Sequence, residues 1–373
     1  MRNLDVKRVV VKIGTNTLCR EDGGINSAYL EDVARQVVEL QSKGIQCIVV
    51  SSGAIGAGST ELGLDGIQKD VAMKQACAAV GQSLLMRAWR EAFSIYGKKV
   101  GQVLLTYGAF SDRTRHLNLK KAIDELFRLN AVPIVNENDV IATDEIEEIF
   151  GDNDKLSALV AGSTDSDLLL LLTDVDGLYD RNPDADPNAL LIPVVDEITE
   201  DILRIAGSKK NERSTGGMRT KINAAMIAME CGFTMIIANG KEENVILRVV
   251  SSEDIGTMFT PNSHYSNRER WLAYAFPHGT INIDKGAEEA IRNGNSLLPC
   301  GITSVEGAFK RGDIVRIGDF AKGVANFSSE ELEVQLALCR AEREKGEHYK
   351  NESAFVSSSN IILTKNSPEL RGN

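Results

Sequence analysis

Several common catalytic devices are missing from this chain. It contains no G-x-x-x-x-G-K-[ST] phosphate loop and no H-R-D loop. Its four histidines, at 116, 264, 278 and 348, form no ligand cluster, and no Ser-His-Asp or Cys-His nucleophile is evident. The six cysteines, at 19, 47, 77, 231, 300 and 339, never reach C-x-x-C spacing, which excludes a zinc knuckle and a dithiol redox motif. Isolated thiols suit a reducing cytosol. No apolar run approaches the ~20 residues that a membrane span needs. The most obvious block is Leu168–Leu172, and Val9-Val10-Val11 near the start is too short for a signal sequence. A basic excess is lacking too: the net charge of -11 argues against a general binder of polyanions. These absences together predict a soluble, cytoplasmic protein with no membrane partner.

At 373 residues, with 43% hydrophobic and 25% charged residues, the chain has room for two globular domains. Apolar runs at Val9–Ile13, Gln46–Val50, Val100–Leu105, Ala131–Val135, Leu168–Leu172 and Thr234–Ala238 read as strands. Helical segments intervene at Ser27–Ser42, Lys69–Tyr96, Leu117–Leu129, Asn153–Ala161 and Gly216–Cys231. Strands that are apolar on both faces and alternate with helices predict an α/β fold, a mainly parallel sheet sandwiched by helices. Ligands of such sheets bind beyond the carboxyl ends of the strands. The polar clusters Gly14-Thr15, Ser51-Ser52-Gly53, Asn136–Asp139 and Thr173-Asp174 all fall there. After about residue 260 the pattern changes to short strands punctuated by glycine, which predicts a small β-rich domain. The expected division is a first domain over 1–260, a linker over 261–278, a β-rich domain over 279–357 and a tail over 358–373.

Each polar motif has a plain reading beside the functional one. Lys12 sits at the end of an apolar strand, where a buried ammonium is costly unless paired. It reads as a phosphate contact or as a lysine that snorkels to the surface. Gly53, Gly56 and Gly58 follow a strand in an order that is not the dinucleotide fingerprint. They fit an anion site at a helix start or a simple tight turn. Asn136–Asp139 and Asp152–Asp154 are helix caps or turns taken singly. As a pair flanking a hairpin or lid at Ile141–Phe150, they suggest a pocket for a ligand bearing an amino group and carboxylates. Thr215–Lys221 is a helix start, with Thr215 as a possible N-cap and two glycines that allow close approach of a ligand. Lys221 lies one turn further on, within reach of a phosphate. The sum is a site that grips a small polar acid and moves a phosphoryl group.

Taken in order, these residues resemble the glutamate 5-kinases of the amino-acid kinase superfamily, which carry a C-terminal PUA domain. The resemblance rests on Val11–Thr15, Ser52–Ile55, Val135–Asp139, Gly151–Ala158, Leu171–Asp174 and Thr215–Lys221, and on Gly301–Val305 and Arg311–Asp313 in the small domain. It covers residues 6–325, and the segment after Phe327 matches poorly. It implies that Lys12, Thr173, Asp174, Thr215, Gly216, Gly217, Met218, Arg219, Thr220 and Lys221 contact ATP. It implies further that Ser52, Asp139 and Asn153 hold L-glutamate. Lys12 and Lys221 would be catalytic, with Asp154 positioning them. The implied reaction is formation of γ-glutamyl phosphate from ATP with Mg2+, the first step of proline biosynthesis. The resemblance also implies proline as a feedback inhibitor, a homodimer or homotetramer, and a separate glutamyl-phosphate reductase. Related aspartate, acetylglutamate, carbamate and uridylate kinases would share the sheet and the lysines. The PUA likeness raises RNA as a ligand, but residues 279–373 hold 12 Lys and Arg against 14 Asp and Glu, a net of -2. That balance argues against a nucleic-acid surface.

Overall fold

The computed structural model describes residues 2–20, 23–64, 70–111, 113–142, 153–183, 185–207, 217–261, 269, 271–272, 275, 277–344 and 353–363. The chain forms two compact units, Met1–Tyr107 with Asn118–Tyr265, and Gly108–Leu117 with Ser266–Asn373.

The first unit is built on eight strands: β1 (Arg8–Ile13), β2 (Gln46–Ser51), β3 (Lys99–Leu105), β4 (Ala131–Glu137), β5 (Leu168–Thr173), β6 (Val194–Val195), β7 (Thr234–Asn239) and β8 (Thr257–Phe259). Their order is β3-β4-β2-β1-β5-β7-β8-β6. Every pairing from β3 to β7 is parallel, as the alternation of strands and helices predicts. β8 reverses direction against β7, and β6 runs parallel to β8. Strands of two and three residues are too short to show a period, so this reversed edge had no sequence signal.

The central strands are apolar throughout because both faces are covered: Val9, Val10, Val11 and Leu168–Leu170 are fully buried. Val9, Val11 and Ile13 share a core with Leu30 and Val33 of helix Ser27–Ser42, and with Leu85, Trp89 and Phe93 of helix Val71–Ser94. Side chains alternate along a strand, so Lys12 turns to the other face. There it meets helix Asn153–Ser163, in which every residue but Lys155 is buried. The 69–96 segment forms a single helix, Val71–Ser94, capped by the Asp70 carboxylate on Met73 N–H. It crosses helix Ala54–Glu61 at two glycines. A Cβ on Gly81 would lie 1.8 Å from Ala54 O, and one on Gly58 would lie 1.8 Å from Cys77 O.

The second unit holds a five-stranded sheet of β9 (Gly279–Ile283), β10 (Ile302–Glu306), β11 (Ile314–Ile317), β12 (Ala321–Val324) and β13 (Ile361–Leu363), in the order β10-β9-β11-β12-β13. Its core joins Ile281, Val315, Ile317, Leu332, Phe355 and Val356. Two boundaries differ from the sequence reading. The supposed tail supplies β13, which pairs with β12 and buries Ile362; three residues again gave too short a pattern. Segment Gly108–Leu117, expected inside the first domain, belongs to the second unit, where Phe110 O accepts a hydrogen bond from Trp271 Nε1 at 3.2 Å. His116 is buried, with its ring centroid 6.1 Å from that of Trp271.

Candidate active site

The carboxyl ends of β1, β2, β4 and β5 bring most of the expected polar residues together in the first unit. At the end of β1, Lys12 Nζ donates to Asp154 Oδ1. From helix Met218–Cys231, Lys221 Nζ donates to Asp154 Oδ2 at 3.2 Å, and Thr220 Oγ1 donates to the same oxygen at 2.7 Å. The three charged side chains are almost sealed from water, at 7%, 1% and 6% exposure for Lys12, Asp154 and Lys221. Burial alone would raise the pKa of Asp154; the fields of Lys12 and Lys221 and the hydrogen bonds from Lys12 and Thr220 prevail and hold it down, at about 2. Asp154 is therefore a carboxylate, and the trio carries one positive charge in excess. A buried excess charge is unfavourable in isolation and favours an anion beside it.

The adjacent residue begins a second network. Asn153 Nδ2 donates to Ser52 Oγ and to Asn136 Oδ1, both at 3.1 Å. Asn136 Nδ2 donates to Gln82 Oε1 at 2.8 Å. Ser52 is placed by Gly53, whose φ of +96° belongs to the left-handed region and turns β2 directly into helix Ala54–Glu61. Beneath it, Ser51 Oγ accepts from Trp89 Nε1 at 2.9 Å. Asp139 follows β4 and is buried, which pushes its pKa up to about 6, against a hydrogen bond from its own backbone N–H to the carboxylate that lowers it.

On the β5 side, Thr173 Oγ1 donates to Asp174 Oδ1 at 3.1 Å, and Gly240 N–H donates to Thr173 O at 2.7 Å. Asn16 Nδ2 donates to Asp174 Oδ2 at 2.9 Å, and this bond is the first cause of a lowered pKa at Asp174.

Of the expected ATP contacts, Thr215 and Gly216 lie outside the described residues, as do Gly151, Asp152 and positions 143–150 of the expected lid. The helix predicted from Gly216 starts at Met218, with Gly217 as its N-cap and no side-chain cap. Arg219 Nη1 reaches Leu203 O at 3.5 Å, outside the lysine–aspartate cluster. Sequence reasoning did not single out Asn16 or Gln82. Gln75, Gln82 and Trp89 recur every seven residues on one helix, and each turns a hydrogen-bond donor or acceptor toward segments at or following β2 and β4. That spacing was the available signal.

Comparison with known proteins identifies the family. The profile of the amino acid kinase family matches residues 7–239, and that of the PUA domain matches residues 279–334. Glutamate 5-kinase of Methanosarcina mazei is 48% identical over 340 residues, covering 88% of each chain. That of Methanosarcina barkeri is 45% identical over 97% of this chain and 98% of its own. That of Caldanaerobacter subterraneus subsp. tengcongensis is 41% identical over 98% of this chain and 100% of its own. With this identity along nearly its whole length and the matching family profile, the chain belongs to the glutamate 5-kinases of the amino acid kinase family.

Proposed function

We propose that this protein transfers the γ-phosphoryl group of ATP to the side-chain carboxylate of L-glutamate, giving γ-glutamyl phosphate and ADP. The observation that carries the reading is the junction at Asn153 and Asp154, where an amide network suited to an amino acid adjoins a buried cluster of net positive charge. The glutamate side chain, with a pKa of about 4.3, is already an anion at neutral pH, so no general base is needed. Its oxygen attacks the γ-phosphorus as the bond to the bridging β,γ-oxygen breaks, and that electron pair leaves with ADP. No proton moves, so the step calls for no histidine.

The obstacle is electrostatic, since one anion must approach another. Lys12 and Lys221 neutralise charge on the transferring group and the leaving oxygen, and Asp154 holds both ammoniums in place. Ser52, Asp139 and Asn153 hold glutamate. Ser52 Oγ accepts from Asn153, so its own hydroxyl proton is directed elsewhere, to a substrate carboxylate. Thr173, Asp174 and the start of helix Met218–Cys231, Gly217 included, face the nucleotide. Mg2+ would enter with the phosphates and would supply neutralisation of their charge. Among the described residues no three His, Cys, Asp or Glu side chains form a cage. Asp154 is engaged by two lysines, which leaves Asp174 as the carboxylate at hand.

The reading places the protein in the cytoplasm and at the first step of proline biosynthesis. It includes proline as a feedback inhibitor and assembly as a dimer or tetramer. An acyl phosphate is unstable in water, so a separate glutamyl-phosphate reductase would consume it. The test is ADP release from Mg-ATP with glutamate, aspartate, N-acetylglutamate or UMP as acceptor, with hydroxylamine as the trap. Hydroxamate from glutamate alone is expected. Turnover with another acceptor would replace the substrate, and no turnover with any would overturn the reaction.

A further inference from the structure

Gln82 lies on helix Val71–Ser94, outside the residues assigned to substrate, yet it ends the amide network. The three amides are linked head to tail. Gln82 Oε1 accepts from Asn136 Nδ2 at 2.8 Å, and Asn136 Oδ1 accepts from Asn153 Nδ2 at 3.1 Å. Two atoms of this three-amide relay are buried with no hydrogen-bond partner, the terminal donor Gln82 Nε2 and the terminal acceptor Asn153 Oδ1. A side-chain amide has one accepting and one donating end, so the choice made at Gln82 propagates. When Gln82 accepts, Asn136 must turn its NH2 toward it and its carbonyl toward Asn153. Asn153 then spends its NH2 on Asn136 and Ser52, and its carbonyl is left over. If Gln82 donated, both asparagines would reverse and Asn153 would have an NH2 to spare.

We propose that Gln82 is a positioning residue that sets the polarity of this relay, and so selects an acceptor substrate bearing an α-ammonium group. An unspent buried carbonyl favours a cation that can donate to it, because leaving it unmade costs the desolvation of the group. An unspent NH2 in the same place would repel an ammonium. The inference rests on the proposed reaction and deepens it: the relay explains how an amino acid is chosen over a plain dicarboxylate of the same length.

The experiment compares kcat/KM for glutamate with that for glutarate, which lacks the amino group, in Gln82→Glu, Gln82→Lys and Gln82→Met. Glutamate can only accept at this position when ionised, lysine can only donate, and methionine offers no useful acceptor or donor. A hydrogen bond to a charged group is worth enough to change affinity by about tenfold or more. The preference for glutamate over glutarate is expected to fall by about that factor in the Lys variant. It should fall to an intermediate level in the Met variant, and return toward the wild-type ratio in the Glu variant. The KM for ATP and the Tm serve as controls for folding. Equal ratios in all variants would overturn the proposal. So would a split between Glu and Lys with Met at the wild-type ratio, since that pattern reports charge acting through space. If the Lys variant does not fold, the Met variant decides alone by the same ratio. Wild-type protein run alongside separates the two levels: no hydroxamate from glutamate there removes the reaction itself, whereas normal wild-type turnover with an unmoved ratio removes only the role of Gln82.

Discussion

Replacing Asp154 by asparagine removes one charge and almost no volume, and so isolates what the buried carboxylate does. Two ammoniums, from Lys12 and Lys221, converge on its two oxygens, and the carboxylate is 1% exposed. An asparagine can accept from one lysine but turns an NH2 toward the other. Removing one partner of a buried ion pair costs about 3–5 kcal/mol, because the remaining charge is stranded. In a domain of this size each kcal/mol lowers Tm by roughly 2–4 °C, so a fall on the order of 10 °C is expected by calorimetry. Activity should fall as well, since displacing a preorganised charge from a transition state costs on the order of 10²–10³ in kcat.

A second substitution makes this argument testable. Adding Lys12→Met to Asp154→Asn removes a stranded charge, so the double variant should melt higher than the single one while remaining inactive. That departure from additivity is the signature of a shared charge cluster. Melting of Asp154→Asn within about 1 °C of wild type would refute the buried-charge reasoning. So would a double variant that loses stability additively. The pH dependence follows with the same sign. The folded-state pKa of Asp154, about 2, lies below its ordinary 3.8. Its contribution is therefore complete above the ordinary value and disappears as pH falls through about 2.

The remaining expectations concern single groups. Lys221→Ala and Lys12→Ala should each lower kcat far more than they raise the KM for glutamate; steady-state kinetics showing a large KM effect with normal kcat would exclude a role in the transition state. Burial pushes the Asp139 pKa up to about 6, so the unliganded enzyme keeps the group neutral only below that pH, and the stability this contributes is lost as pH rises through about 6. An ammonium ligand needs the ionised form, so the KM for glutamate should climb as pH drops below about 6, and Asp139→Asn should raise KM and flatten that profile. Gly81→Ala would set a Cβ 1.8 Å from Ala54 O and force apart the helix that begins beside Ser52. Overpacking of this kind costs roughly 1–3 kcal/mol or more, read as a lower Tm together with a higher KM for glutamate.

The sequence disclosed those parts of the fold whose physics is local. Leu168–Thr173 is buried at every position, and an unbroken apolar run is what a strand covered on both faces requires. Lys12 stood out because an ammonium within such a run demands a partner, but nothing local indicated that the partner was Asp154, 142 residues away. The strands β6, β8 and β13 stayed hidden because two or three residues carry no period. Gln82 stayed hidden for another reason: glutamine is ordinary on a helix, and its seven-residue spacing from Gln75 and Trp89 gains meaning only once the hydrogen bond to Asn136 is seen. Thr220 was expected to touch the nucleotide; in the structure its hydroxyl serves Asp154, a role that depends on where helix Met218–Cys231 begins.

Under the proposed reaction, the arrangement at Asn153 and Asp154 would let one short helix join the two halves of the site. Asn153 belongs to the amide network and Asp154 to the lysine cluster, and they are consecutive residues in the first turn of helix Asn153–Ser163. The distance between the two halves of the site is thus set by a single peptide unit, which is among the stiffest spacers a protein has. The helix around it is buried at every residue but Lys155, whose ammonium lies 5.4 Å from the centre of the Tyr107 ring. A nucleophile and a phosphoryl group that must meet within a few tenths of an ångström gain more from such a rigid joint than from any one contact. Charge, spacing and stiffness therefore converge on two adjacent side chains: Asp154 holds the lysines from β1 and from helix Met218–Cys231, and Asn153 joins them to the amide network.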